Sequence, residues 1–298
     1  MTSRAYDPPV RFVKMHGLGN DYVYLDAVTH PQIARRDDLP DLARRMSDRH
    51  TGIGSDGLIL LCPPTASAEA HVRMRMFNAD GSESAMCGNG VRCVAKFAHD
   101  RLGVSANPMR IETGAGVLSI DYDVTDGKLT LATVDMGEPI LDLADVPVDR
   151  AGLVRVLDDG VHAEFDAAGE RFKAVFVSMG NPHAVIFTDD VSGLDLDRLG
   201  PQIERHPAFP ERINAHFAQI RSRDEATMRT WERGSGITQA CGTGACAVCV
   251  AAVRTGQLDR DVLLHLPGGD LRVRWDKPTN HLFMTGPATD VFEGDWPR

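Results

Sequence analysis

Two thiols stand in matching surroundings in this chain. Cys87-Gly-Asn-Gly-Val-Arg-Cys-Val-Ala and Cys241-Gly-Thr-Gly-Ala-Cys-Ala-Val-Cys share the order thiol, paired glycines, small apolar residue and apolar-periodic run. Each run reads as a helix, so each thiol falls at a helix start, where unpaired N–H groups and the helix dipole favour negative charge. That setting predicts a thiol ionising below the ~8.5 of a free cysteine, and hence a usable base. The glycines let the backbone come close to a ligand, so a carboxylate would meet N–H donors at both motifs.

A duplicated thiol suits one class of reaction. Inverting a carbon by proton transfer needs a base on one face, an acid on the other, and stabilisation of the carbanion's charge on the adjacent carboxylate. A thiolate, a thiol and two helix N-termini supply these needs, and no external cofactor is demanded. A pyridoxal enzyme would need a Schiff-base lysine in the site, and neither cysteine motif contains a lysine. A lone cysteine is more often a small buried hydrophobe, the reading that fits Cys62, Cys93, Cys246 and Cys249. For Cys87 and Cys241 the repeat favours chemistry.

The elements that must position them read as follows. Val91, Val94, Ala95, Ala98 and Leu102 recur at helical spacing, with Gly103 as a stop, and a second helix runs from about Ala245 to Arg254 before Gly256. Shorter helices fit Leu39 to Ser47 and Leu194 to Arg205. Strands are expected at Val10–Met15, Asp21–Ala27, Leu58–Leu61, Val72–Phe77, Val117–Val124 and Lys128–Met136, and again at Phe172–Met179, Ala184–Thr188, His216–Arg221, Ala226–Trp231, Val262–Leu266 and Leu271–Trp275. A second repeated pair supports duplication. Phe12-Val-Lys-Met15 leads to Gly19-Asn20-Asp21-Tyr22, and Phe176-Val-Ser-Met179 leads to Gly180-Asn181-Pro182-His183, each followed by an apolar strand. If a pseudo-twofold axis relates the halves, the two Cys-Gly-x-Gly turns can face one another.

Composition narrows the partners. A chain of 298 residues with 43% hydrophobic and 25% charged residues is globular and long enough for two domains. A formal charge of −10 opposes nucleic-acid binding, because Arg35-Arg36 and Arg44-Arg45 are interleaved with Asp37, Asp38, Asp41 and Asp48. No apolar run approaches the ~20 residues that span a bilayer, and Met1 to Arg4 lacks a secretory hydrophobic segment, so the cytoplasm is the expected compartment. The 6 cysteines are too sparse for a disulfide scaffold.

The stretches Lys14-Met-His-Gly-Leu-Gly-Asn-Asp-Tyr22, Phe77-Asn-Ala-Asp-Gly-Ser-Glu83, Met86-Cys-Gly-Asn-Gly-Val-Arg-Cys93, Gly180-Asn-Pro-His183 and Trp231-Glu-Arg-Gly234 with Ala240-Cys-Gly-Thr-Gly-Ala245 closely resemble the diaminopimelate epimerase family. The likeness runs through Gly286-Pro-Ala288 and Val291-Phe-Glu-Gly294. It implies a mixed α/β (α+β) fold of two pseudo-symmetric domains, each a curved, mainly antiparallel sheet or barrel around a central helix. The C-terminal strand would return to the first domain. The halves expected are residues 1–134 plus about 284–298, carrying Cys87, and residues 135–283, carrying Cys241. The resemblance also implies a substrate, LL-diaminopimelate interconverted with the meso form for lysine and cell-wall synthesis, and it admits a homodimer. Cys87 and Cys241 match the family's base and acid. Gly88, Asn89, Gly242 and Thr243 match the residues whose amides hold the reacting carboxylate. Asn20, Asn78, Asn181, Asn214, Glu232 and Arg233 match other substrate contacts, and His183 and Glu232 match positions that tune the thiols. Such roles suit the chemistry, since Arg233 can grip a carboxylate in bidentate fashion and asparagines both donate and accept.

Three positions depart from the commoner pattern: Gly57 stands where many members carry a substrate-touching glutamine, and Ile237 and Gln239 replace a frequent acidic and apolar residue before Cys241. Competing readings are another two-thiol amino-acid racemase or isomerase, a redox or zinc protein built on Cys246-x-x-Cys249, and a non-catalytic binder of a dibasic, diacidic amino acid. No metal site is expected.

Overall fold

The computed structural model describes residues 9–65, 69–157 and 161–297. They form two compact units, the first from residues up to Val134 together with those from Pro287 onward, the second Asp135–Gly286.

The first unit runs β1 (Val10–Gly17), β2 (Asn20–Asp26), α1 (Leu39–Ser47), β3 (Gly57–Cys62), β4 (Val72–Asn78), β5 (Glu83–Ser84), α2 (Gly88–Leu102), β6 (Met109–Thr113), β7 (Gly116–Thr125) and β8 (Lys128–Asp135). β1 pairs antiparallel with β2, β2 parallel with β3, β3 antiparallel with β4, β4 parallel with β6, and β6–β7–β8 form an antiparallel meander. The chain's last strand, Thr289–Trp296, returns to lie antiparallel on β1. The strand β3 is buried at every position, a pattern that requires cover on both faces. Leu58, Leu60 and Cys62 join the core formed with Leu39, Leu42, Ala43 and Met46 of α1, while Ile59 points to Gly90 at the start of α2. Residues Asn89 to Ala98 of α2 are all buried, so this helix is wrapped by its sheet rather than laid on it. Gly103 ends it in the left-handed conformation, with φ 72°.

The second unit runs β9 (Arg155–Val156), β10 (His162–Ala167), β11 (Glu170–Ser178), β12 (Pro182–Phe187), α3 (Leu196–Glu204), β13 (Asn214–Ile220), β14 (Glu225–Glu232), β15 (Gly236–Ile237), α4 (Gly242–Arg254), β16 (Asp261–Leu266), β17 (Gly269–Trp275) and β18 (Leu282–Pro287). Its pairings repeat those of the first: β11 antiparallel to β12, β12 parallel to β13, β13 antiparallel to β14, β14 parallel to β16, then β16–β17–β18 antiparallel. On β13, Ala215 and Phe217 enter the core with Leu196, Leu199 and Ile203 of α3, so His216 is turned to the opposite face, against Gly244 of α4. Ala245 to Ala252 of α4 are buried without interruption. Each unit is therefore a curved, mainly antiparallel sheet around a central helix.

Both central helices begin about three residues earlier than their apolar periodicity predicts, since Gly-Asn-Gly and Gly-Thr-Gly form the first turns. The strands β6, β10 and β18, and the two-residue strands β5, β9 and β15, lay outside the expected set, while Thr289–Trp296 is the returning C-terminal strand that the resemblance implied.

Candidate active site

Cys87 is the N-cap of α2 and Cys241 the N-cap of α4, with closely similar extended backbones (φ −139°, ψ 119° and φ −120°, ψ 108°). In each, Sγ accepts the N–H of the third residue onward, Gly90 or Gly244, at 3.4 Å. A sulfur thus takes the place of the usual Ser, Thr or Asp oxygen at a helix start. Each thiol is held where amides converge.

In the first unit, Cys87 is half-buried and donates from Sγ to Oδ1 of Asn20 at 3.3 Å. Asn20 donates from Nδ2 to Asp56 at 2.8 Å, and Asp56 also accepts the N–H of Asp21. Burial raises Asp56, whereas at Asp21 burial is outweighed by hydrogen bonds from Arg49 and Lys14, which hold its carboxyl low. The Tyr22 phenol lies beside Cys87; burial first, then that sulfur, push its ionisation well up. Asn89 turns its Oδ1 to Arg92 at 3.0 Å. Arg92, 0% exposed, also donates to the carbonyls of Gly88 and Pro287, so its guanidinium braces the first turn of α2. Asn78 donates to Oγ of Ser82 at 3.0 Å.

In the second unit, Cys241 is only 4% exposed. Burial, and then the Glu232 carboxylate beside it, push its thiol well above the ordinary value; the donors Thr243 and Gly244 pull the other way and do not prevail. The expectation of a lowered thiol is therefore overturned at Cys241, because dehydration outweighs the helix N-terminus. At neutral pH it keeps its proton. Thr243 Oγ1 lies 3.6 Å from its sulfur, and Glu232 also accepts from Thr238 at 2.5 Å. Asn181 donates to Thr243 at 3.4 Å and accepts from Nε2 of His183 at 2.8 Å. Asn214 uses both ends on the backbone, donating to Pro182 and accepting from the N–H of Arg233. The Arg233 side chain is exposed, donates to the Glu211 carbonyl at 2.9 Å, and has no carboxylate partner among the described residues. Gly242 opens α4 with its N–H in the same first turn as Thr243.

A family model described as diaminopimelate epimerase matches residues 12–141 and 175–291. The chain belongs to the diaminopimelate epimerase family. The diaminopimelate epimerase of Desulfovibrio desulfuricans is 50% identical over 292 residues, covering 96% of this chain and 98% of that protein. That of Desulfitobacterium hafniense is 49% identical over 287 residues, covering 96% and 97%. Among solved structures, a hydroxyproline epimerase from Agrobacterium vitis superposes with a TM-score of 0.65 at 14% identity, over 98% of this chain and 92% of that one. A phenazine biosynthesis protein of the PhzF family from Bacillus anthracis gives 0.66 at 16%, over 97% and 99%. At such identities these two report the fold alone.

The register of this diaminopimelate epimerase family member shows how the two thiol sites diverged. Tyr22 and Gly57 are cross-strand partners in the first unit as His183 and Asn214 are in the second. Two residues further, Ile59 faces Met76 across the β3–β4 pair where His216 faces Thr230 across β13–β14. The first turn of α2 therefore packs on Ile59, with Tyr22 beside its sulfur, and the first turn of α4 packs on the His216 imidazole. The departure at Gly57 has a local cause: a Cβ there would lie 2.2 Å from the Phe77 carbonyl oxygen and 2.9 Å from the Tyr22 ring.

Sequence reasoning overlooked Asp56, Arg92, His216 and Thr230. His216 carried little signal, being one of three polar residues, with Gln219 and Arg221, in the expected strand His216–Arg221. The remaining thiols behave as packing residues: Cys62, Cys93, Cys246 and Cys249 are buried, with Cys93 pushed up to about 11 and Cys249 to about 12 by dehydration. Among the described residues no three His, Cys, Asp or Glu side chains gather as a ligand set around Cys246 and Cys249 or elsewhere. No helix among them is long and apolar enough to cross a membrane.

Proposed function

We propose that this chain interconverts LL- and meso-diaminopimelate by proton transfer at the α-carbon, with Cys87 and Cys241 serving opposite faces. The observation that carries this reading is the pair of N-cap sulfurs, each accepting a third-residue amide at 3.4 Å, in a chain half identical to diaminopimelate epimerases. In one direction the Cys87 thiolate takes the α-proton and becomes a thiol while the Cys241 S–H delivers its proton to the opposite face and becomes a thiolate. The reverse direction exchanges the roles. Charge developing on the α-carboxylate is met by the amides of Gly88, Asn89, Gly242 and Thr243 at the two helix starts. Glu232 keeps the Cys241 proton in place until it is needed.

Asn20, Asn78, Asn181, Asn214 and Arg233 are assigned to orienting the substrate, with the Arg233 guanidinium for the distal carboxylate. His183 is assigned to tuning Cys241, to which Asn181 and Thr243 connect it. The reading needs no cofactor, places the reaction in lysine and peptidoglycan-precursor synthesis in the cytoplasm, and includes a homodimer, checked by sedimentation velocity. The test is proton NMR of meso-diaminopimelate in D₂O with no added cofactor. Loss of the α-proton signal with appearance of the LL isomer is expected. Retention of both, at enzyme concentrations that bind the substrate, would leave only a binding protein; exchange with proline or hydroxyproline instead would point to another two-thiol racemase.

A further inference from the structure

His216 is a fully buried imidazole that the reaction above does not use. It is 0% exposed, and its ring is pressed so closely on the first turn of α4 that a Cβ at Gly244 would lie 2.2 Å from Cε1. Its Nδ1 meets Oγ1 of Thr230 at 2.9 Å and its Nε2 meets Nδ1 of His183 at 2.8 Å. The chain continues from Nε2 of His183 to Oδ1 of Asn181, from Nδ2 of Asn181 to Oγ1 of Thr243, and from there to the sulfur of Cys241.

Proton positions along this chain follow from the partners. Dehydration keeps both rings neutral, with His216 pushed down to about 3 and His183 well below its usual value, so each ring has one N–H and one lone pair. Oδ1 of Asn181 can only accept, so His183 carries hydrogen on Nε2 and offers a lone pair at Nδ1. His216 must then carry hydrogen on Nε2 and accept from Thr230 at Nδ1. Thr243, which accepts from Asn181, keeps its own O–H to donate to Cys241 when that sulfur is a thiolate. With Cys241 as the thiolate, every donor runs toward the sulfur: Thr230 to His216, His216 to His183, His183 to Asn181, Asn181 to Thr243, Thr243 to Cys241.

We propose that His216 is a positioning residue for Cys241: by donating to Nδ1 of His183 it fixes that ring's tautomer and so the direction in which Asn181 and Thr243 present hydrogen to the sulfur. The Cys241 thiolate formed in each turnover then has two aligned donors, the Thr243 hydroxyl and the Gly244 amide. The corresponding strand position under Cys87 is Ile59, against which Gly90 packs with 2.8 Å between its would-be Cβ and Cδ1. The relay thus belongs to one thiol, the one that dehydration and Glu232 make harder to ionise. The charged groups that bear on it are Glu232, beside the sulfur, and Arg233, whose charge acts on His183.

The inference rests on the reading of Cys241 as an acid/base thiol, and its test uses no turnover. In the parent protein, ¹⁵N NMR with coupling measured across the hydrogen bond should place the shared proton on Nε2 of His216, with both rings neutral. A proton on Nδ1 of His183 overturns the proposal, whether or not any variant folds. For the variants, the pH dependence of iodoacetamide alkylation at Cys241 is followed by peptide mass spectrometry, with Cys87 as internal control. His216→Ile, which installs the first unit's residue, should slow Cys241 alkylation by about three- to tenfold at mildly alkaline pH, the worth of one directed hydrogen bond. His216→Gln, whose amide can donate to His183 and accept from Thr230, should restore it. Parental rates in His216→Ile, or equal slowing in both variants, overturn the relay. An inactive parent with these alkylation results would reject the epimerase and leave the relay standing; an active parent with unchanged alkylation would do the reverse.

Discussion

Cys87 donates to Oδ1 of Asn20 across 3.3 Å, and Asn20 is itself fixed by Asp56. A hydrogen bond that uses the thiol's proton favours thiol over thiolate. Asn20→Ala should therefore speed alkylation of Cys87 at neutral pH by a few-fold, for a bond worth ~1 kcal/mol, while kcat/KM falls through loss of a substrate contact. Alkylation no faster than in the parent would remove Asn20 as the thiol's partner.

Replacing either sulfur tests the division of labour. Cys87→Ala and Cys241→Ala each remove the acid in one direction and the base in the other, so epimerisation should collapse both ways by the ~10²–10⁴-fold typical of losing a general acid or base. A serine ionises far less readily, so Cys87→Ser or Cys241→Ser should lose most inversion yet keep some α-hydrogen exchange from the face of the intact thiol. Deuterium incorporation followed separately from the LL and meso isomers reads both effects. Near-parent inversion in the alanine variants would end the two-thiol account.

The Arg233 guanidinium is exposed and, among the described residues, has only the Glu211 carbonyl as a hydrogen-bonding partner, which leaves most of its donor fork for a ligand. Arg233→Ala and Asn78→Ala should lower kcat/KM by at least ~10-fold, as expected when a charged or polar substrate group loses its partner. Steady-state kinetics within twofold of the parent would withdraw the distal-site assignment.

Gly244 and Gly90 occupy equivalent helix positions yet should differ in tolerance. At Gly244 a Cβ meets the packed ring of His216 at 2.2 Å, whereas at Gly90 it meets the terminal Cδ1 of Ile59 at 2.8 Å, which can rotate away. Gly244→Ala should therefore cost ~1–3 kcal/mol as overpacking does, and Gly90→Ala less. Urea unfolding of the two variants checks the order; a reversed order would show that the ring yields.

The buried histidines give stability a pH dependence of known sign. Unfolded, His216 titrates near ~6.5; folded, it is held down to about 3 by dehydration. Between these values the unfolded chain binds the extra proton, so this contribution is fully present above ~6.5 and is lost as pH falls toward 3. His216→Gln should flatten the fall of Tm on acidification over that range. A parental slope would show that His216 does not carry it.

Periodicity and repetition made a large part of this protein legible in its sequence. The apolar spacing from Val91 to Leu102 and the paired Cys-Gly-x-Gly turns marked both central helices, both candidate thiols and the duplication, because a 3.6-residue period and a helix start are local properties of the chain. The segment Met109–Thr113 was missed because so short a run has little period to read, and Thr289–Trp296 was legible only through the family resemblance, because its side chains are largely exposed and its pairing with β1 joins the two ends of the chain. The chemical difference between the thiols was decided only by tertiary structure. Near-identical motifs put Cys87 half-buried beside Asn20 and Tyr22, and Cys241 buried beside Glu232, on a helix whose first turn packs against His216. Whether a sulfur keeps its proton depends on what lies within a few ångströms of it in space. For Cys241 the deciding neighbour, Glu232, comes from β14, which the sheet brings beside a helix that follows it in the chain.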